Sequence, residues 1–347
     1  MANLDGPVTV LYVIGNGRSG STLLDVVLGN HPLIESTGER VHLTRTGWVS
    51  RRATEAADER KRRVPLCSCG GRIDVLYAGE DEVCPFWKRV REEWELRAGA
   101  GDIERYPGLQ ETFERHRRWP RLLRERRNPS PEFRAYARLT RALFKAIRAA
   151  SGKPVIVDSS KSPPCAFPLA LVPGIDLRAI HLVRDVRGVI SSRRKAFKKN
   201  VLAGIEWDHE PHPVWHSAWW SSLRWSAINL EAEMVCRWLG PGRATRLRYE
   251  DFLSDPEGSL RRVGSLAGLD LSGLARAVAS GEAMRVGHDV GGNRLRMSGS
   301  VRLRPEAGSW EGSLSPAERR LALRLAGPLM RRYGYAGRGA GERPARA

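Results

Sequence analysis

The stretch VIGNGRSGST, residues 13–22, sets three hydroxyls and one arginine among three glycines. Counted from Gly15 it follows the phosphate-loop pattern G-x-x-x-x-G-K-[ST], with Gly20 and Thr22 in place but Ser21 in the lysine position. A glycine-rich turn that opens a helix aims backbone N–H groups at an anion, and the helix dipole adds to the attraction. Ser19, Ser21 and Thr22 add hydroxyl donors, and Arg18 adds a planar permanent cation. Such a loop suits a tetrahedral anion, yet it lacks the lysine that reaches the terminal phosphates of a nucleoside triphosphate. A bare strand-to-helix turn would need none of these four side chains. A second stretch, LVRDVRGVISS over 182–192, ends a strand on Arg184 and sets Ser192 eight residues on, inside the next helix. It reads as a second anion site, or as an arginine paired with Asp185 on the surface.

VIVDSSKSP ends a strand on Asp158, a candidate general base that could instead orient Lys161 or cap the turn that follows. LCSCGGRIDVLYAGEDEVCPFW brings Cys67, Cys69 and Cys84 close in sequence. Three thiols fall one short of a structural zinc site, which Cys165 or a histidine could complete; a buried thiol cluster or a redox pair is the alternative. HEPHPVWH spaces His212 and His216 one helical turn apart, but the proline between them favours a loop lining a cleft or exposed to solvent. His181 lies within a strand and reads as core.

These residues need a scaffold. VTVLYVI, 8–14, is a continuous β-branched run, as a buried parallel strand should be. STLLDVVLGN has helical periodicity that stops at His31 and Pro32. PEFRAYARLTRALFKAIRAA is an amphipathic helix followed by Gly152 near the C-cap. Further strands are PVIVD, LRAIHLV and ATRLR; a Pro-rich link joins the first two. Helices are predicted over about 187–199 and across 213–240, the latter with Trp219 and Leu223 on its core face. Strands separated by helices give an α/β chain: a P-loop-like central parallel sheet, helices on both faces, and a helical insertion over about 40–150. The reading is one domain over 1–336 and a disordered tail at 337–347. Ligands of such sheets bind beyond the carboxyl ends of the strands, where Arg18, Asp158, Arg184 and Tyr249 all fall.

The 347 residues carry 58 Lys+Arg against 39 Asp+Glu, a formal +19, with only eight lysines. That excess steers anions. It does not indicate a specific nucleic acid, since the basic residues are scattered and no nucleic-acid module is recognisable. No apolar run approaches the ~20 residues of a membrane span. MANLDGPVTVLYVI lacks the basic start of a signal peptide, and five cysteines are too few for a disulfide scaffold. A cytoplasmic enzyme or binding protein is expected.

GRSGSTLL followed at a distance by LVRDVRGVISS resembles the sulfotransferases that use 3′-phosphoadenosine 5′-phosphosulfate (PAPS). The resemblance implies that Arg18, Ser19, Gly20, Ser21 and Thr22 hold the 5′-phosphosulfate, and that Arg184 and Ser192 hold the 3′-phosphate. RYEDFLSDP resembles a family stretch whose tyrosine lies near the adenine, here Tyr249. GGNRLRMSGSVRLRPEAGSW resembles a late basic loop that closes over the nucleotide, with Arg294, Arg296 and Arg302 as candidates. Sulfuryl transfer moves less charge than phosphoryl transfer and does not generally need Mg²⁺, so the resemblance implies no required metal and explains the missing lysine. VIVDSSKSP lacks the histidine base of the cytosolic aryl branch. The glycine–glutamate segment of the protein-tyrosine branch points to Glu39, with Asp158 as its rival. The KSP turn resembles that of carbohydrate sulfotransferases, whose lysine approaches the sulfuryl group, here Lys161. Similar Cys-rich stretches occur in bacterial sulfotransferase-like proteins. The expected acceptor is a hydroxyl of a small molecule or glycan: a carbohydrate, lipid or other metabolite. The alternative is a P-loop kinase or nucleotidase using ATP and Mg²⁺, with Asp158 ending a Walker-B-like strand.

Overall fold

A computed structural model describes residues 6–45, 48–49, 66–73, 79–115, 119–202, 217–304 and 310–335. Strands β1 (Val8–Ile14), β2 (Ile34–Ser36), β3 (Val155–Lys161), β4 (Ile175–Val183) and β5 (Ala244–Arg248) form one parallel sheet. Their order is β2-β3-β1-β4-β5. The central strand β1 is apolar but for Thr9 and the Tyr12 hydroxyl, because both of its faces are covered. Val8, Val10, Tyr12 and Ile14 face one core, and Leu11 and Val13 face the other. Helix α1 (Ser21–Gly29) covers the second face.

The first face is covered by the helical insertion: α2 (Pro85–Ala98), α3 (Tyr106–Phe113), α4 (Trp119–Arg127) and α5 (Pro131–Ser151). Aromatic rings hold this layer together. Trp48 stacks on Trp94 at 5.4 Å, and Trp94 Nε1 donates to the Leu139 carbonyl of α5 at 2.9 Å. Helix α5 starts on Ser130, whose Oγ accepts from Phe133 N at 3.1 Å, and ends on Gly152 at φ 70°.

Sequence patterns and structure part in three places. The Pro-rich link is helix α6 (Pro163–Ala170), because prolines in a first turn give up N–H groups that no helix would bond. Strand β2 was not anticipated: three residues, two of them polar, carry no readable period. In α8 (Ala218–Leu239), which follows α7 (Val186–Leu202), Trp219 and Leu223 do not face the core; they are 42% and 44% exposed. The buried face instead carries Ser221, Ser222, Trp225, Asn229 and Ala232. Two of these polar residues are bonded: Ser222 Oγ donates to the Ala218 carbonyl at 2.7 Å, and Asn229 Oδ1 accepts from His181 Nε2 at 2.9 Å. His181 is core, as expected, and burial pushes its pKa down to about 4, so the imidazole is neutral. Among the described residues no helix is long and apolar enough to cross a membrane. The tail 337–347 and His212 and His216 lie outside the described residues.

Candidate active site

Each parallel strand delivers a candidate residue at or beyond its carboxyl end: Arg18 after β1, Glu39 after β2, Lys161 on β3, Arg184 after β4 and Tyr249 after β5. The β1–β3 register slips there. Tyr12 pairs with Asp158, but Ile14 pairs with Lys161, so β3 carries one extra residue. Such bulges re-aim side chains beside active sites. Lys161 then sits at φ 67° and Arg18 at φ 76°, the two non-glycine residues of positive φ among those described. A left-handed residue of this kind costs of order 1–3 kcal/mol and is characteristic of functional sites. Gly15 N ties the two strand ends together by donating to Lys161 O at 3.1 Å.

Gly20, at φ 95°, opens α1, and the Tyr249 ring lies where a Cβ would stand. Glycine is required there twice over, by backbone sign and by the ring. Ser19 is buried, and its Oγ has no hydrogen-bond partner among the described residues. An unmatched buried hydroxyl in a left-handed loop at a helix start fits a bound anion.

The two anion stretches form one site. Arg18 Nε donates to Ser192 Oγ at 3.1 Å, and Arg184 Nη1 donates to the Arg18 carbonyl at 3.2 Å. The Arg184 guanidinium lies 4.3 Å from the centre of the Tyr249 ring. Arg18 therefore reaches toward the second stretch rather than serving the first alone. Asp185 does not pair with Arg184. Its carboxylate accepts from Arg187 Nη2 at 2.6 Å. Trp225 Nε1 fixes the Arg184 backbone by donating to its carbonyl at 2.9 Å. Burial and Arg184 lower the Arg18 pKa. Burial, Arg224 and Arg18 push Arg193 down to about 10. Crowded cations that weaken one another favour an anion between them. Arg193 escaped the sequence reading, although it adjoins Ser192.

The late glycine-rich loop does close on the first. Asn293 N donates to Thr22 Oγ1 at 3.2 Å, and a Cβ on Gly292 would stand 3.3 Å from Glu39 Oε1. Its arginines are less available. Arg296 Nη1 donates to Leu66 O at 2.9 Å and Arg302 Nη1 to Gly281 O at 2.6 Å, while Arg294 is exposed.

Glu39 is buried, ion-paired with Lys161 Nζ through Oε1, and bonded to His42 Nε2 through Oε2 at 3.0 Å. Burial pushes its pKa up, but the bond to His42 and the Lys161 charge outweigh burial and leave it below the usual value. Its backbone is held as well: Glu39 N donates to Val290 O at 2.6 Å, and Gly38 N to Asp25 Oδ2 at 3.0 Å. His42 and Asp25 were both missed; neither belongs to a recognisable motif.

Asp158 needs correction as a base and as a magnesium ligand. It is fully buried and accepts from Arg40 Nε at 2.8 Å and from Ser160 N at 2.9 Å. That is the place of a counter-ion in the interior. Asp158→Asn is predicted to destabilise the fold by ~3 kcal/mol, because it leaves a buried guanidinium undercompensated. A denaturant midpoint unchanged from wild type would refute this role. Cys67, Cys69 and Cys84 do converge, and their fourth neighbour is His288; Cys165 lies apart, against the Glu114 carbonyl at 4.0 Å.

A family model described as the sulfotransferase family matches residues 74–273. Carbohydrate sulfotransferase 3 of Homo sapiens is 30% identical over 174 residues, 48% of this chain and 35% of that protein. Its Mus musculus counterpart is 30% identical over 175 residues, 48% of this chain and 36% of that one. The chain thus matches about a third of the length of these relatives. Among solved structures, the sulfotransferase domain from the Synechococcus PCC 7002 olefin synthase is similar at TM-score 0.49 and 19% identity, over 93% of this chain and 95% of that one.

Proposed function

Because this chain belongs to the sulfotransferase family, we propose that it moves the sulfuryl group of PAPS onto an acceptor hydroxyl, with Glu39 as general base. The observation that carries the reading is the union of the two anion stretches through the Arg18–Ser192 hydrogen bond, across 174 residues of sequence. Ser19, Ser21, Thr22 and the loop amides receive the 5′-phosphosulfate. Arg184, Ser192 and Arg18 receive the 3′-phosphate, with Arg193 behind them. Tyr249, between Gly20 and Arg184, flanks the adenosine.

In this reading the acceptor oxygen attacks sulfur in line and passes its proton to Glu39. The bond from sulfur to the 5′-phosphate oxygen breaks, and Lys161 Nζ and the loop amides stabilise the charge left on that oxygen. The products are the sulfated acceptor and 3′-phosphoadenosine 5′-phosphate, and Glu39 then releases its proton to solvent. Lys161 must leave its resting partner Glu39 to do this. The curated relatives are carbohydrate sulfotransferases by name, which supports a sugar hydroxyl as acceptor over a lipid or other metabolite.

Calorimetry with 3′-phosphoadenosine 5′-phosphate against ATP·Mg²⁺ tests the reading. The bisphosphate is expected to bind at least ~100-fold more tightly, a difference of ~2.7 kcal/mol. Preference for ATP·Mg²⁺ would overturn it. Labelled PAPS offered to a panel of sugars would then identify the acceptor.

A further inference from the structure

We propose that Cys67, Cys69, Cys84 and His288 are the four ligands of a structural zinc ion that locks the late glycine-rich loop to the Cys67–Cys84 segment. One ligand atom from each residue lies within 4.8 Å of all the others. His288 Nδ1 stands 3.3 Å from Cys84 Sγ and 3.7 Å from Cys67 Sγ. Zinc held at ~2.3 Å from sulfur and ~2.0 Å from nitrogen sets tetrahedral edges of ~3.5 Å between sulfur and nitrogen and ~3.8 Å between sulfurs. The side chains are thus already close to the required spacing. Three sulfurs and one imidazole nitrogen, with no fifth ligand in the group, make a closed set, which is the mark of a structural rather than a catalytic site.

The surroundings are built for the same purpose. Leu66 and Arg72 form a bridge that turns the chain back on itself, so Cys67 and Cys69 project from one tight knuckle. Cys84 is the N-cap residue of α2, where the helix dipole favours a thiolate. Phe86 stacks on the His288 ring at 5.0 Å, and Trp87 Nε1 donates to the His288 carbonyl at 2.8 Å. Binding releases three thiol protons to solvent and leaves a zinc–trithiolate–imidazole group of net charge −1. A counter-charge is in place: Arg296 donates to the carbonyls of Leu66 and Asp289, the neighbours of Cys67 and His288. That also explains why Arg296 does not turn toward the nucleotide loop.

The lock bears on the active site through Val290. This residue forms one bridge with Cys67 and another with Gly38, and its carbonyl accepts from Glu39 N. Only Asp289 separates His288 from Val290, and two residues further on stands Gly292, beside Glu39 and Thr22.

Metal analysis of the full chain, purified reduced and without chelator, is expected to find one zinc per chain. Cobalt replacing it should show thiolate charge transfer and the intense d–d bands of a tetrahedral site. Cys69→Ser, at an exposed position, and His288→Gln should each lower zinc affinity by more than the ~10–100-fold that loss of a ligand's own partner costs. Cys236→Ser should leave it unchanged. Chelation should raise hydrogen exchange over residues 287–293. Reduced protein that holds no zinc and gives no thiolate–cobalt band would overturn the proposal, as would a Cys67–Cys84 disulfide in the unreduced chain. If the variants fail to fold, the wild-type cobalt spectrum still decides. These measurements use no nucleotide, so their failure leaves sulfuryl transfer standing, and failure of nucleotide binding leaves the zinc site standing.

Discussion

Replacing Arg184 by alanine is expected to weaken binding of 3′-phosphoadenosine 5′-phosphate by ~30–1,000-fold, or ~2–4 kcal/mol, and binding of the analogue without the 3′-phosphate by only a few-fold. The asymmetry follows from where the guanidinium stands. It caps the Tyr249 ring and donates to the Arg18 carbonyl, while Arg18 itself reaches Ser192. A phosphate entering between Arg18, Arg184 and Ser192 meets two forked cations and a hydroxyl in one small volume, partly shielded from water. Charge-assisted bonds to such a group are about twice as strong as neutral ones. Arg184→Lys should recover only part of the loss, because an ammonium cannot present the fork or lie flat on Tyr249. The modest loss for the analogue reflects loosening of the Arg18 backbone. Equal losses for both nucleotides would move the 3′-phosphate elsewhere. Titration calorimetry at fixed ionic strength makes the comparison.

What the sequence reveals of this site is its local part. VTVLYVI announces a strand with both faces covered, and the Gly–Ser–Thr turn after it announces an anion. Arg184 and Ser192 are legible for the same reason, since strand end and helix start are neighbours in the chain. Relations between distant segments carry no local pattern. The Arg40–Asp158 pair spans 118 residues, and the contact of Cys67 with His288 spans 221. Asp158 therefore reads as a base, a partner of Lys161 or a cap for the turn after it; the turn contact to Ser160 N is local and legible, and the Arg40 partner is not. Strand β2 is invisible because register with β3, not apolar alternation, makes it a strand. Trp219 and Leu223 mislead for a different reason. Helical period marks an apolar face, but which face is covered depends on what packs there, and the side that α8 buries mixes Trp225 with Ser221, Ser222, Asn229 and Ala232.

Glu39→Gln is expected to lower kcat by ~10²–10⁴-fold while nucleotide affinity stays within about twofold. Glutamine keeps the shape and can still bond to Lys161 and His42, so the fold around β2 should survive. Wild-type turnover in this variant would remove Glu39 from the mechanism. The pH dependence gives the sharper test. In the resting site Lys161 and His42 hold the carboxylate below its usual pKa, against the opposing push of burial. A depressed pKa keeps the base ionised until pH falls through that lowered value, so the acid limb of kcat/KM should lie below the usual carboxylate range. Once Lys161 turns to the sulfuryl group, one of the two effects holding the pKa down is gone and burial remains. The acid limb of kcat should therefore lie at higher pH than that of kcat/KM, because the first reports the loaded enzyme and the second the free one. In Lys161→Met the Lys161 charge is absent from both states. Its kcat/KM limb should rise to meet its kcat limb, with turnover itself reduced by loss of the cation at the leaving oxygen. Coincident limbs in the wild type would show that Lys161 never leaves Glu39, and the exchange of partners would have to be abandoned.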